Sequence, residues 1–497
     1  MNAGPIGRPP GAAAGGEAAR AIGRLAGIGA FAAMLLAPAP SAMSGPAWTV
    51  AALAVLMAVW WMSEAVPLAA TALAPLIVLP VLGVLSFERV AQSYAHPLVF
   101  LFLGGFVIAK ALEHWSLHRL IAGAIIRRAP ASGAGIIAAL MAATAFLSMW
   151  ISNTATAMVM VPIAQSIAGT AGRDSRRAGA AGGEGDFAAA LLLGVAFSST
   201  IGGMATLIGT PPNALLAGYL ETAVGVDVGF GQWMALGVPV ALVLLPVTWF
   251  ILTRVVFTVP VGLAARAARA TEALGRTALT PGARRAAAVI ALAGLVLVFR
   301  PLIETVLPGL ALSDAGIAVA GALLLMLLPS GDGTGGRLIG WEQAKEIRWD
   351  VLILFGGGLA LANAIEESGL AQGIGSVFAV LDGLPVAVIV LFAMALVVVL
   401  GELASNTAMA AIFLPIAGAA AVGLGADVLD LVLPIGLAAS LGFMLPVATP
   451  PNAIAYGTGW VTSGQMLRAG TVLDVVSILV AYVIAMALVP VIFGGGS

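Results

Sequence analysis

The chain has 497 residues, 61% of them hydrophobic and only 9% charged, with a net charge of −1 and a mean hydropathy of +1.08. Soluble domains carry about 25% charged residues, so a soluble protein with one large core is excluded, and the charge balance gives no basis for a nucleic-acid partner. There is no cysteine, which excludes disulfides, thiolate metal sites and cysteine nucleophiles without fixing the compartment.

Residues 1–21, rich in Gly, Ala and Pro, read as a cytoplasmic polar tail carrying Arg8 and Arg20. The apolar stretch after Arg24 resembles a signal h-region, but Ala-Pro-Ala-Pro at 37–40 is a poor cleavage context, so it reads as an uncleaved first helix. About 20 apolar residues span a bilayer. Runs of this kind predict about eleven crossings, near 22–39, 47–63, 66–84, 98–113, 187–208, 231–256, 286–306, 312–328, 350–366, 429–447 and 470–493. Two more apolar stretches, near 131–168 and 384–424, are each interrupted by Ser-Asn-Thr. Neither half of either stretch makes a comfortable span, so both read as re-entrant hairpins, with non-helical backbone held in protein or a water-filled cavity.

With the N-terminus in the cytoplasm and the hairpins returning to their own side, 19 of the 22 basic residues fall inside, all but Arg89, Lys110 and Arg300. That is the positive-inside bias, and it puts the C-terminus outside. The chain therefore divides into a tail (1–21), a first helix and first repeat (22–259, hairpin near 131–168), a cytoplasmic linker (260–285) and a second repeat (286–497, hairpin near 384–424). Residues 171–186, rich in Gly and Arg, read as a flexible cytoplasmic loop.

The repeat rests on two doubled motifs. Ser152-Asn153-Thr154-Ala155 returns as Ser405-Asn406-Thr407-Ala408, and Thr210-Pro211-Pro212-Asn213 returns as Thr449-Pro450-Pro451-Asn452. Gly104-Gly105 and Glu113 match Gly357-Gly358 and Glu366 at the 253-residue offset of the first motif; Ser63-Glu64-Ala65 matches Ser313-Asp314-Ala315 at 250. An odd number of crossings separates the copies, which makes the repeat an inverted one. Substrate and ion sites of such carriers lie at the repeat interface, near the midplane.

A broken helix exposes backbone N–H groups that attract anions and C=O groups that suit a hard cation. Asn153 and Asn406 donate and accept together, and Ser152, Thr154, Ser405 and Thr407 add hydroxyls. The paired prolines predict unwound backbone around Thr210 and Thr449. One such motif alone reads better as a helix cap; two matched copies favour a binding site. The membrane-depth charges Glu64, Lys110, Glu304, Asp314, Glu402 and Asp474 are functional candidates, with salt bridges or helix-end charges as the alternative. Glu402, three residues before Ser405, is placed to orient a hairpin tip or to act as a proton or cation group. Trp60 and Trp61 read as interface anchors, and His96, His114 and His118 as interfacial residues. Ser152 has no triad-like partner, so an intramembrane hydrolase is disfavoured and the chain reads as no enzyme.

The stretches WWMSEAVPLAATALAPL (60–76), FLFLGGFVIAKALEHWSLHR (100–119), SMWISNTATAMVMVPI (148–163), IGTPPNALLAGY (208–219), ELASNTAMAAIFLPI (402–416) and LPVATPPNAIAYGTG (445–459) resemble the divalent-anion:sodium symporter family of dicarboxylate, citrate and sulfate carriers. The resemblance runs from about residue 45 to the end. It implies an all-α polytopic protein of the inner (plasma) membrane, a homodimer, and elevator-type alternating access. Carried over by motif position, Asn153, Thr154, Thr210, Ser405, Asn406, Thr407 and Thr449, with Pro211 and Pro450 beside them, would meet the substrate carboxylates. Ser148, Ser152, Asn153 and Gly209 would form one sodium site; Ala404, Asn406 and Ala448 would contribute to a second. Gly401 stands where symmetry with Ser148 calls for a hydroxyl, which weakens the second site. The expected substrate is a C4-type dicarboxylate such as succinate, malate or fumarate, coupled to sodium; sodium-independent exchange and sulfate or tricarboxylate transport are the alternatives.

Overall fold

A computed structural model describes residues 10–41, 43–130, 132–177, 184–259, 279–331, 335–378, 380 and 383–493. They form an α-helical protein in which eight helices among the described residues are long and apolar enough to cross a membrane. Shorter apolar helices fill the spaces between them, Gly133–Ser148, Asp314–Leu327, Val386–Gly401 and Val428–Ala438 among them.

Capping residues set the helix starts. Ser44 accepts from Ala47 N ahead of Gly45–Met62, Ser132 from Gly135 N ahead of Gly133–Ser148, and Thr280 from Ala283 N ahead of Pro281–Val306. Each cap satisfies one first-turn donor that the helix itself cannot. Burial then sorts the long helices. Every residue of 187–204 is buried, whereas Pro281–Val306 and Ser463–Phe493 are largely uncovered. The first is apolar all round and belongs at the centre. The others present Leu292, Leu295, Phe299, Leu302, Val475, Leu479 and Val483 to the surroundings, which suits hydrocarbon and not water.

Both Ser-Asn-Thr segments lie between paired helices. Gly133–Ser148 and Asn153–Arg177 pack together, as do Val386–Gly401 and Asn406–Gly423. The first helix of each pair has 16 residues, and both starts and both ends stand 253 apart. Packing repeats as well. A Cβ on Gly104 would lie 2.4 Å from the Ala318 carbonyl carbon, and one on Gly357 would lie 2.2 Å from the Ala72 oxygen. This pairs Ala72 with Ala318 at an offset of 246, not the 250 expected from Ser63 and Ser313. Ser313 caps Asp314–Leu327, while Ser63 ends Gly45–Met62, so those tripeptides match in type but not in place.

Several boundaries differ from expectation. The first helix is Pro10–Leu36 and runs through half of the expected tail; its alanines are strong helix formers. Asn153–Arg177 carries helix into the expected 171–186 loop, of which 178–183 lie outside the described residues. So does most of the expected linker, since 279 is the first described residue after 259 and Pro281 already begins a helix. The 66–84 run is two short helices, Leu68–Thr71 and Ala74–Val81. Trp61 is wholly buried, with its indole N–H on the Leu68 carbonyl at 3.2 Å, and His118 is buried against the Leu112 carbonyl. Neither is an interfacial residue: both polar atoms found local carbonyls and the rings joined the core.

Helices inside a bilayer approach closely only where small residues let them. Gly104→Val or Gly357→Val should therefore cost about 1–3 kcal/mol or more from overpacking. Gly29→Val, where a Cβ meets nothing within 4 Å, is the control. Melting of the detergent-purified protein, followed by tryptophan fluorescence, should fall by several degrees for the first two variants and hold for the third.

Candidate functional site: two hairpin tips against two helix breaks

The central helix ends at Met204 and the next begins at Pro211; in the second half the corresponding helices end at Ala438 and begin at Pro450. Unwound backbone thus occupies 205–210 and 439–449. The expectation placed unwinding around Thr210 and Thr449, but both breaks lie upstream of the prolines. Thr210 and Thr449 are helix N-caps with matching extended backbone (φ −144 and −138). The prolines fill the first helical turn, where a missing N–H costs nothing. They start helices here and do not interrupt them.

The asparagine of each motif, passed over as a site residue on sequence, holds the break. Asn213 Nδ2 donates to the carbonyls of Gly203 (3.1 Å), Met204 (3.3 Å) and Thr206 (2.8 Å). Asn452 Nδ2 donates to Gly442 (3.3 Å) and Leu445 (3.1 Å). Gly203 and Thr206 are the 239-offset mates of Gly442 and Leu445, so the same amide bridges the same two carbonyls in each half. Both asparagines are fully buried. A carbonyl freed from a helix at this depth must find a donor, and the side-chain amide supplies it.

Each hairpin asparagine seats on the glycine of its own half's break. A Cβ on Gly203 would lie 2.2 Å from Asn153 Oδ1, and one on Gly442 would lie 3.6 Å from Asn406 Oδ1. In the first half Ser148 Oγ donates to Asn153 Oδ1 at 2.7 Å and lies 3.4 Å from Ser199 Oγ, which donates to the Asn153 carbonyl at 2.8 Å. Gly209 packs on Gly203. The structure therefore brings Ser148, Asn153 and Gly209 together, while Ser152 Oγ caps Ala155 N. Ser199 joins them unpredicted; the run Ser198-Ser199-Thr200 in an otherwise apolar helix was its signal. In the second half Asn406 Oδ1 is buried without a donor. Gly442 lies among Asn406, Ala448 and Glu402, and Gly401 lies between Asn406 and the Leu441 carbonyl. Ala404 is buried at this tip. Ser148, Asn153 and Gly209 thus stand together in the first half and Asn406 and Ala448 in the second, with a hydroxyl at Ser148 and none at Gly401.

Of the residues expected to meet substrate, Asn153, Thr154, Ser405, Asn406 and Thr407 are half-buried, so a solute has partial access to them. Thr210 and Thr449 are buried. Pro211 is half-buried and Pro450 exposed. The halves interlock crosswise. Asn153–Arg177 packs on Pro450–Gly457, and Asn406–Gly423 packs on Pro211–Tyr219. Ser440 Oγ donates to Asn213 Oδ1 at 3.3 Å, and the Phe197 and Phe443 rings meet edge to face at 5.2 Å. Among the described residues no ion pair includes a tip residue.

Three of the remaining membrane-depth charges, Glu64, Lys110 and Asp314, have local partners. Lys110 Nζ lies 2.8 Å from Glu346, Arg300 Nε lies 3.2 Å from Asp314, and Arg20 lies 3.9 Å from Glu64. Asp314 also accepts from Phe230 N at 2.6 Å. These are structural pairs, as the bland alternative held.

The family model for the sodium:sulfate symporter transmembrane region matches residues 18–494. The chain belongs to this family. It is a multi-pass membrane transporter and not an enzyme. The family includes similar curated relatives called sodium-dependent dicarboxylate transporter SdcS. The one from Staphylococcus saprophyticus is 38% identical over 480 residues, 95% of this chain and 92% of its own. The one from Staphylococcus aureus strain USA300 is 37% identical over 486 residues, 96% and 93%. Among solved structures, the Alcanivorax borkumensis YdaH transporter aligns with a TM-score of 0.54 over 90% of this chain and 99% of its own, at 14% identity. That likeness concerns the fold alone.

For this symporter-family chain, removing a break asparagine leaves buried carbonyls bare at about 1–3 kcal/mol each. Asn213→Leu, which strips three acceptors, should lower the melting temperature further than Asn452→Leu, which strips two. Equal melting of both variants with the wild type would show that the amides do not hold the breaks.

Proposed function

We propose that the chain is a sodium-coupled secondary carrier of C4-type dicarboxylates such as succinate, malate and fumarate, in the inner (plasma) membrane. The observation that carries this reading is the pair of half-buried Ser-Asn-Thr tips, each set against an unwound segment. Its chemistry suits a small dianion flanked by cations: tip N–H and hydroxyl groups for carboxylates, freed carbonyls and side-chain oxygens for Na⁺. The names of the relatives at 37–38% identity support the same substrate class and the same ion.

In this reading Asn153, Thr154, Ser405, Asn406 and Thr407 meet the carboxylates directly. Thr210, Pro211, Thr449 and Pro450 shape the site as helix starts. Ser148, Ser152, Asn153 and Gly209 hold one sodium ion, and Ala404, Asn406 and Ala448 contribute to the second. With no cation of its own at the tips, the protein would meet a dianion's charge with bound sodium and helix ends, which ties substrate binding to sodium. The hairpins are re-entrant, the two repeats (22–259 and 286–497) are inverted, and the hairpins and broken helices move together as an elevator within a homodimer. The N-terminus is cytoplasmic and the C-terminus external. Gly401 in place of a hydroxyl favours one further reading, sodium-independent dicarboxylate exchange.

Succinate uptake into proteoliposomes should be driven by an inward sodium gradient and not by a potassium gradient. Sulfate and citrate should compete more weakly than malate or fumarate. Ser148→Ala should raise the sodium concentration for half-maximal uptake about tenfold or more, since one charge-assisted contact is worth about 1.5–3 kcal/mol. Uptake that ignores sodium but accelerates with internal dicarboxylate would replace symport with exchange.

A further inference from the structure

The packing divides the helices into two bodies. The first holds both hairpins, both breaks and the helices after them, the described residues of 133–256 and 386–493. The second holds Gly45–Met62, Leu68–Thr71, Ala74–Val81, Pro97–His114, Pro281–Val306, Asp314–Leu327 and Trp349–Glu367. Within each body the packing repeats. Phe230–Phe250 lies on Glu184–Met204 as Ser463–Phe493 lies on Val428–Ala438, and Pro97–His114 meets Pro281–Val306 as Trp349–Glu367 meets Gly45–Met62. Pro281–Val306 is thus the mate of Gly45–Met62, in line with the 246 offset of Ala72 and Ala318.

Between the bodies the packing does not repeat. Phe230–Phe250 packs on Pro281–Val306, Pro211–Tyr219 on Trp349–Glu367, and Asn406–Gly423 on Gly45–Met62. The mates of these pairings are Ser463–Phe493 with Gly45–Met62, Pro450–Gly457 with Pro97–His114, and Asn153–Arg177 with Pro281–Val306. They show no comparable packing among the described residues. Side chains follow the same division. A Cβ on Gly105 would lie 3.3 Å from Ile208, and one on Gly294 would lie 3.3 Å from the Trp150 ring. The mates of Ile208 and Trp150 are Val447 and Leu403. Ile208 is 9% exposed, whereas Val447 is 72% and Leu403 69% exposed. The first tip is docked on the second body, and the second tip stands clear of it.

The docked side carries ions. Arg300 Nε lies 3.2 Å from Asp314 Oδ1, and Asp314 Oδ2 accepts from Phe230 N at 2.6 Å across the boundary. Gly229 lies against both: a Cβ there would be 3.0 Å from the guanidinium and 3.8 Å from Asp314 Oδ2. Arg300 also lies 3.9 Å from exposed Asp227, and His96 Nε2 lies 3.6 Å from Glu221. Lys110–Glu346 and Arg20–Glu64, by contrast, do not reach the first body. The Arg300 and Asp314 side chains are mostly buried, so salt screens them less than a surface pair. Gly237 and Gly470 press on the mated Met204 and Phe443 carbonyls, at 2.5 and 2.2 Å, so Ser463 answers to Phe230. At the 246 offset Ala54 and Leu68 answer to Arg300 and Asp314. None of the three is charged.

We propose that Arg300 and Asp314 form an ionic latch that holds the transporter with its first tip docked, by fastening residues 227–230 of the first body to Pro281–Val306 and Asp314–Leu327 of the second. The latch presupposes that hairpins and broken helices move as one body, as proposed above. In the alternate state each contact between the bodies gives way to its mate, so Val447 seats on Gly358 as Ile208 now seats on Gly105. Uncharged mates leave that state without a latch of its own, so the bias is one-sided. The topology above puts Arg300 on the external face, and the latched state is therefore open to the cytoplasm.

The chain has no cysteine, so single cysteines report alone. Ile208→Cys and Val447→Cys, each labelled with a maleimide in purified protein without substrate, read the docked tip and the open one. Arg300→Gln removes the ion pair, as does Asp314→Asn, whose amide oxygen still accepts from Phe230 N. Either should speed labelling of Ile208→Cys about tenfold or more, the worth of one charge-assisted contact. Either should slow labelling of Val447→Cys about twofold or more as the docked population gives way. Faster labelling at both positions means local loosening, and unchanged labelling means no hold; each overturns the latch. Gly294→Leu, a wedge under Trp150 away from the ions, separates the latch from the two-body reading beneath it. Opposite changes with the wedge but not with the ion variants sink the latch alone. A wedge that fails to move the two reporters in opposite directions sinks the two-body reading, and the latch with it.

Discussion

Every broken helix in this protein answers to one constraint: inside a bilayer, backbone polar groups released from a helix must find partners within the chain. The breaks at 205–210 and 439–449 free carbonyls and N–H groups, all buried in the first and buried at 439–443 and 448–449 in the second. Buried side chains close most of that account. Asn213 and Asn452 cover carbonyls; Thr206 and Glu402 tie the breaks to the hairpin tips. Tip groups left half-buried are the ones with room for an external ligand. The division between satisfied and available backbone chemistry thus defines the site more sharply than the motif letters do.

The crosswise interlock adds a mechanical consequence. Each hairpin's second helix packs on the other half's Thr-Pro-Pro-Asn helix, so neither hairpin rests only on its own half of the chain. The Ser440–Asn213 bond and the Phe197–Phe443 contact fasten one break to the other. A shift of one tip relative to its break would therefore be felt across the repeat boundary. Such packed elements move as units more readily than they deform.

Much of this was legible in the sequence, for physical reasons. Doubled Ser-Asn-Thr and Thr-Pro-Pro-Asn motifs mark backbone that cannot remain ordinary helix, and their offsets of 253 and 239 reappear as matching helix starts and matching hydrogen bonds. The position of the breaks was less legible. Prolines were read as helix interrupters, yet at the first helical positions they are starters, and the chain had already unwound at Met204 and Ala438. Ser199 had a signal in the Ser198-Ser199-Thr200 run, but nothing in that run says which hydroxyl meets the tip. The role of Asn213 and Asn452 depended on knowing which carbonyls stand bare. The bonds from Met444 N and Leu445 N to Glu402 join residues 42 and 43 positions apart, and no local pattern announces them.

The near-symmetry of the clefts makes their differences informative. Where the halves agree, as at the break asparagines, the shared geometry is what the fold needs in order to stay unwound. Where they disagree, the fold tolerates either choice, and the difference is free to serve transport. The first cleft offers Ser148 and Ser199 hydroxyls and a Thr206 tie; the second offers Gly401, a buried Asn406 oxygen and a Glu402 tie. In the proposed reading, two clusters of unlike composition would hold the same ion with unlike strength.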